Sequence, residues 1–433
     1  MKKILTQNSI QIKELLIHWF EQNLNRNQTL IYDDIRYSTQ QALLAAALFK
    51  RGVSFIKKKS NSEIIPVPVK KQNSPSIPMH FLPKEEFEKS IAFKEHKNTF
   101  LLIDKTILKF YPEFIQNFKR YYPFDCSEEN KNFETVLDIL NAVPESTTHL
   151  WAIGGGTLLD ISGFAAGLLE LPINYIATTL LCAIDAALGG KTGVNFYPYG
   201  KNQLGLFVNP QALYVCPEIF ATLPSEEILC ALGESLKHAW LQGCFTENKE
   251  LFEEIYTHRN KACPKSIKKF VALNYSIKSS VVSADPYETG IRAILNFGHT
   301  IGHILEGLCQ KNLIEPLPHG IAVAYGIRFL IENNFVQCDK PDFLDFLKKI
   351  MIVKIKLKLN TTRSSLTSTV MDLLQQDKKN NDFSLNSVSL TIPKYGFLNQ
   401  PNFSSIERTF YIKNVPFSEL TTLIIRFIEQ NKV

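Results

Sequence analysis

The sequence predicts an α/β domain with a doubly wound, mostly parallel sheet, followed by an all-α domain. Three observations carry that prediction. Short apolar runs ending in a polar or glycine residue alternate with amphipathic stretches between residues 99 and 177. After Pro217 the alternation stops and helical spacing takes over. A chain of 433 residues at 45% hydrophobic is also long enough to bury two or three cores.

Taken in order, residues 10 to 25 carry Ile12, Leu15, Leu16, Trp19 and Phe20 at helical spacing, and Ser38 with Gln41 signals the start of a second helix that Gly52 would end. Residues 1–75 read as a helical extension and a proline- and lysine-bearing linker, whose lysines are expected to be solvated. Residues 76–216 form the α/β domain. Thr99 to Asp104 is an apolar run ending in a carboxylate, as buried parallel strands are. A helix with Tyr111, Phe114 and Phe118 is expected next, then an amphipathic helix around Val136, Ile139 and Leu140 and a strand at Leu150 to Ile153. The glycines Gly154, Gly155 and Gly156 follow that strand directly and precede a helix near Phe164, with Asp160 in its opening turns and a strand at Ile173 to Ile176 beyond it. Three glycines there either make a tight turn or let backbone N–H groups approach a pyrophosphate, and their place between a strand and a helix favours the reading as a nucleotide-binding domain. The run is not G-x-G-x-x-G, and Asp185 stands where a Walker motif ending at Gly190-Lys191-Thr192 needs its first glycine. Asp104, at another strand tip, is placed for a ribose hydroxyl or for capping a helix. From Thr178 to Asn202 the chain concentrates glycines and lysines in what reads as oxyanion-binding loops. Residues 217–433 form the mainly helical domain.

The bulk numbers exclude several classes. A net charge of +6, from 48 basic against 42 acidic residues spread along the chain, argues against nucleic acid and suits a small anionic substrate. The 8 cysteines include no C-x-x-C pair, so neither a zinc finger nor a disulfide framework is indicated. No signal peptide or membrane-spanning run is expected, and the reading is a soluble cytoplasmic protein.

The chemistry gathers at residues 288 to 303. Read as one helix, Glu288, Arg292, Asn296, His299 and His303 share a polar face. Such a face either lies in water or lines a site holding a cation and an anion together. Glu234, His299, His303 and His319 are the candidate metal ligands, of which a catalytic zinc takes three.

Together these motifs resemble the sugar-phosphate cyclases, and among them the 3-dehydroquinate synthase family, over residues 99 to 400. The resemblance rests on Thr178-Thr179, Asp185, Gly189 to Asn195, Gly200 to Gly205 and the run from Arg292 to His303, in order and with the spacings kept. It implies an NAD- and zinc- (or cobalt-) dependent lyase, usually a homodimer, in which a substrate hydroxyl is oxidised, phosphate leaves, hydride returns and the ring recloses. By the resemblance Glu234, His299 and His319 hold the metal, and His303 serves acid/base chemistry or contacts phosphate. Asp185, Lys191, Asn202, Lys237, Lys278, Arg292, Asn296, Lys378 and Lys379 meet a sugar phosphate. Asp104, Glu128, Lys131, Gly155, Gly156, Asp160, Thr178, Thr179, Lys201, Thr222 and Glu227 meet NAD. The chain departs from the pattern at Leu159, where the family has glycine, and at Glu170 to Pro172, where an arginine is missing. It departs again at Ile321, where a glutamate that would back a metal ligand is absent. Other readings are a different sugar-phosphate cyclase, a metal-dependent NAD polyol dehydrogenase, and an inactive cofactor-binding scaffold.

Overall fold

The computed structural model describes residues 54–55, 77–87, 98–115, 118–196, 200–376 and 387–432. Apart from Ser54–Phe55, the expected N-terminal extension lies outside the described residues, as do Asp377, Lys378 and Lys379. The chain divides into two units, Met1–Phe220 and Ala221–Val433.

The first unit is built on a six-stranded parallel sheet in the order β2-β9-β6-β5-β3-β4: Met79–Phe81, Leu213–Val215, Ile173–Ala177, His149–Gly154, Thr99–Asp104 and Tyr121–Phe124. Parallel strands need covered faces on both sides, and the central ones have them, with β5 and β6 buried at every position. On one face Leu101, Ile103, Trp151, Ile153 and Ile176 pack with Ile107, Tyr111, Phe114 and Phe118. Phe133 of α2 (Phe133–Ala142) meets Phe164 of α3 (Gly156–Leu169) edge-on at 6.4 Å.

Three expectations change here. The helix after β3 is only α1, Lys105–Phe110, because Pro112 cannot continue it; a 3₁₀ turn at Pro112–Ile115 keeps Phe114 in the core. Strand β4 was not anticipated, since Tyr121-Tyr-Pro-Phe124 is an edge strand that carries a proline. The expected loops around Gly189 to Gly205 are largely strand: β7 (Lys191–Phe196) and β8 (Gly200–Phe207) pair antiparallel, and β1 (Ser54–Phe55) pairs with β8.

The second unit is helical apart from a hairpin of β10 (Ser387–Thr391) and β11 (Ile412–Pro416). Its centre is α4, Ser225–Gln242, buried at every position from Ile228 to Leu241, as a helix wrapped on all sides must be. Trp240 anchors it, its Nε1 donating to Pro393 O at 2.9 Å and its ring lying 5.2 Å from Phe297 and Phe343. Around it run α5 (Phe245–Thr257), α6 (Pro264–Ala284), α7 (His299–Gln310), α8 (His319–Glu332) and α9 (Pro341–Ile350). Then come α10 (Arg363–Gln376) and α11 (Phe417–Asn431).

The single helix expected over residues 288 to 303 does not form. Glu288 has a left-handed backbone (φ 56°), Ile291–Asn296 is 3₁₀, and Gly298 (φ 78°) ends that segment before α7 begins at His299. Only His299 and His303 share a helix, four residues apart.

Candidate functional site

Three helices of the second unit converge on a carboxylate. Glu234 of α4 is fully buried, and neither of its oxygens has a hydrogen-bonding partner in good alignment, although the Lys237 ammonium pairs with it one turn on. His299 and His319, each the first residue of its helix, bring Nε2 to 3.3 Å and 3.1 Å from Glu234 Oε1. One ligand atom from each of the three lies within 4.8 Å of the others. A tetrahedral ion with bonds of about 2.0–2.2 Å has ligand-to-ligand edges of roughly 3.3–3.6 Å. Two of the three spacings are already close to that.

The electrostatics agree with a cation. Burial alone would raise the Glu234 carboxyl, but Lys237 and the two imidazoles hold it well below the usual carboxylate range. Burial likewise works against a charged His319, yet the Glu234 and Glu306 carboxylates outweigh it and push the imidazole up to about 10. A carboxylate held ionised beside imidazole nitrogens offers a divalent ion negative charge and lone pairs. Each histidine is also backed on its far side: His299 Nδ1 lies 3.3 Å from Phe297 O, and His319 Nδ1 lies 3.3 Å from Glu306 Oε1. The donor set therefore fits a zinc-type ion. His303 is exposed and outside this set, its ring 5.5 Å from that of His299 and 6.3 Å from that of His319.

Lys237, Lys278 and Arg292 of the same unit are buried, at 1%, 6% and 3% exposure. Arg292 is held by a loop built on Asp285, whose carboxylate accepts from the N–H groups of Thr289, Gly290 and Arg292 at 3.0, 2.7 and 3.0 Å. The Arg292 guanidinium donates to Pro286 O, and Asn296 Nδ2 donates to Glu288 Oε1 at 3.2 Å. Thr222 and Glu227 belong to this unit too, Thr222 exposed ahead of α4 and Glu227 in its first turn. Burial and the neighbouring Glu226 raise the Glu227 carboxyl.

In the first unit the sheet order reverses at β3, with β4 on one side and β5 on the other. Ligands of such sheets bind beyond the carboxyl ends of the strands at that reversal. Asp104 ends β3, Gly154 ends β5, Gly155 caps α3 and Gly156 begins it. Thr178 follows β6, its N–H donating to Gly154 O at 3.0 Å, and Thr179 Oγ1 accepts from Cys182 N–H at 3.2 Å. Asp104 is a helix cap, accepting from Thr106 N–H at 2.7 Å.

A second group is tied together nearby in the chain's fold. Lys131 pairs with Asp160 at 2.7 Å, Glu128 Oε1 accepts from Asn195 Nδ2 at 3.0 Å, and Asn195 Oδ1 accepts from Asn202 N–H at 2.9 Å. Burial opposes the Lys131 charge, but Asp160 and Glu128 outweigh it and raise the ammonium's pKa. Lys191 is exposed at the start of β7, Lys201 lies on β8, and Asp185 sits in a π turn at Cys182–Ala186.

The comparisons with known proteins decide the family. The description 3-dehydroquinate synthase N-terminal matches residues 122–230, and 3-dehydroquinate synthase C-terminal matches residues 231–380. The 3-dehydroquinate synthase of Pelagibacter ubique is 33% identical over 325 residues, covering 70% of this chain and 84% of that protein. This chain belongs to the 3-dehydroquinate synthase family. The Chlamydia abortus 3-dehydroquinate synthase is 36% identical over 213 residues, so the match covers 47% of this chain and about half, 53%, of that relative. In fold, this member of the family is similar to 2-deoxy-scyllo-inosose synthase solved with carbaglucose-6-phosphate, NAD+ and Co2+, at TM-score 0.66 and 22% identity over 82% of this chain and 99% of that one. A probable glycerol dehydrogenase from Sinorhizobium meliloti shares the fold at TM-score 0.56 and 14% identity, over 82% of this chain and 97% of that one.

Sequence reasoning did not single out Asp285 or Glu306. Glu306 lies seven residues after His299, two turns along the same helix face, so the register alone could have raised it. The signal for Asp285 is the Asp285-Pro286 turn dipeptide at the end of a helix.

Proposed function

We propose that this chain is a 3-dehydroquinate synthase that converts 3-deoxy-arabino-heptulosonate 7-phosphate to 3-dehydroquinate and phosphate, in the shikimate route to aromatic amino acids. The observation that carries the reading is the charge of the helical unit. Among the described residues of that unit, the buried charged side chains are Glu234 and Asp285 against Lys237, Lys278 and Arg292, three cations to two carboxylates before any metal is counted. Asp285 is occupied with its own loop, and a divalent ion on Glu234, His299 and His319 would raise the surplus further. Buried positive charge of that size calls for a polyanion, and a sugar acid carrying both a carboxylate and a phosphate supplies one.

When bound, a divalent metal, zinc or cobalt in this reading, supplies Lewis acidity at a substrate hydroxyl, and NAD supplies a hydride acceptor. The chain's own residues divide the remaining work. Glu234, His299 and His319 hold the metal. Lys237, Lys278, Arg292 and Asn296, joined by Lys191, Asn202, Lys378 and Lys379, bind and orient the anionic groups and stabilise charge as it develops. His303, outside the ligand set and exposed on α7, moves a proton through an imidazole nitrogen. For the dinucleotide, support comes from the strand ends at the sheet reversal and the N-terminus of α3, which suit a pyrophosphate at Gly155 and Gly156. A cytoplasmic homodimer belongs to the same reading and rests on the family resemblance.

The test supplies the heptulosonate phosphate with NAD and zinc and follows phosphate and NADH together. Phosphate release without net NADH supports the synthase. Accumulating NADH points instead to a polyol dehydrogenase, and neither product to an inactive scaffold.

A further inference from the structure

The far side of His319 meets a carboxylate from another helix. The chain has Ile321 where a glutamate would back a metal ligand, and that isoleucine is fully buried, its side chain given to the core. A carboxylate nevertheless reaches the histidine from another helix: Glu306 of α7 places Oε1 3.3 Å from His319 Nδ1. We propose that Glu306 is a positioning residue for the metal centre, one that fixes the tautomer and ring orientation of His319 and so sets how tightly the site holds its ion. The proposal rests on the reading of Glu234, His299 and His319 as the ligand set.

With an ion taken up at Nε2, the neutral imidazole carries its one proton on Nδ1, and the ionised Glu306 carboxylate, which only accepts, is placed to receive it. Nε2 is the atom 3.1 Å from Glu234 Oε1, on the side where His299 Nε2 also points. The two histidines are backed unequally. His299 faces a neutral backbone carbonyl, that of Phe297, and only 12% of its side chain is exposed. His319 is 34% exposed, so packing restrains it less and its orientation depends more on the charged partner. His303, whose ring stacks 6.3 Å from that of His319, is itself exposed. Carboxylates behind metal-ligating histidines raise ligand basicity as well as fixing the ring, and losing one typically costs ten- to a hundredfold in metal affinity.

The competing account is an ordinary part-exposed ion pair with no bearing on the ion, since Glu306 is 25% exposed. Zinc affinity of the full-length, metal-stripped chain, measured by competition with a chromophoric chelator, separates the two. Glu306→Ala is expected to bind zinc about 10–100 times more weakly than the unaltered chain, and Glu306→Gln, which keeps a neutral acceptor, to fall between them. The visible absorption of the Co2+-loaded chain should shift in Glu306→Ala. Wild-type-like zinc affinity in Glu306→Ala overturns the proposal; should that variant fail to fold, wild-type-like affinity in Glu306→Gln does so. If the unaltered chain takes up no zinc, the ligand reading itself falls and the proposal with it.

Discussion

At the residue scale, the Asp285 carboxylate organises six residues of chain around one side chain. It accepts from three backbone N–H groups and from the Thr289 hydroxyl, and the loop it closes presents Arg292 and Glu288. Each buried N–H left without an acceptor costs about 1–3 kcal/mol, and water reaches the exposed Thr289 end of the loop. Asp285→Ala is therefore expected to lower stability by about 3 kcal/mol in urea unfolding. It should also raise KM for an anionic substrate while leaving zinc affinity intact; an unchanged KM would show that Arg292 does not depend on this loop. Residues of this kind are poorly legible in a sequence. Glu234, His299, His303 and His319 stand out by type and spacing as candidate ligands, and the choice of three among them comes from the family resemblance. The partners that hold them, Glu306 and Asp285, are carboxylates among 42 acidic residues, and only the fold shows which two matter.

At the element scale, the proposed metal centre lies where helices touch backbone to backbone. A Cβ on Gly233 would lie 2.0 Å from Gly320 O, and one on Gly320 would lie 1.8 Å from Cys230 O. Gly233 immediately precedes Glu234, and Gly320 immediately follows His319, so this crossing sets the spacing of two ligands. Helix propensity favours alanine over glycine by roughly 1 kcal/mol, whereas forcing extra atoms into a packed core costs about 1–3 kcal/mol and more against rigid backbone. The steric effect wins. Gly233→Ala and Gly320→Ala should both lower the melting temperature and weaken zinc binding together, and a variant more stable than wild type would refute the close-crossing account. The same logic explains the broken helix at residues 288 to 303. Gly298 takes a left-handed backbone just ahead of His299, and a Cβ on Gly326 of α8 would lie 1.9 Å from Gly298 O. The sequence periodicity of Ile291, Ile294 and Leu295 suits a 3₁₀ segment nearly as well as an α-helix, so it could not reveal that break.

At the scale of the whole molecule, stability should fall in alkali. Burial, with Glu218 alongside, pushes the Cys216 thiol up to about 12, and burial with Glu247 pushes Cys244 up to about 11. Unfolded thiols ionise near pH ~8.5. The folded chain thus keeps protons that the unfolded chain releases, so this stability is complete below that value. It declines above it by ~1.4 kcal/mol per pH unit for each thiol until the folded thiol ionises too. Denaturant unfolding at pH 7, 9 and 10 reads the decline, and the double variant Cys216→Ser, Cys244→Ser should make it shallower, the remainder coming from other raised thiols such as Cys230; the same slope in that variant would exclude these two thiols as contributors. Lys131, whose charge Asp160 and Glu128 stabilise, adds to the loss only at still higher pH. The architecture was the most legible level of all, because buried parallel strands and amphipathic helices write strong periodicities. The edge strand β4 and the β10–β11 hairpin escaped, being short and partly polar. The convergence of α4, α7 and α8 on one point has a topological meaning as well. An ion held by residues 234, 299 and 319 would join chain segments 65 and 20 residues apart, acting as a removable cross-link. Loop-closure entropy grows only as the logarithm of length, so the longer loop adds merely about 1 kcal/mol more than the shorter. Tethering by either span would restrain the unfolded chain to a similar degree, and releasing the ion would free both at once.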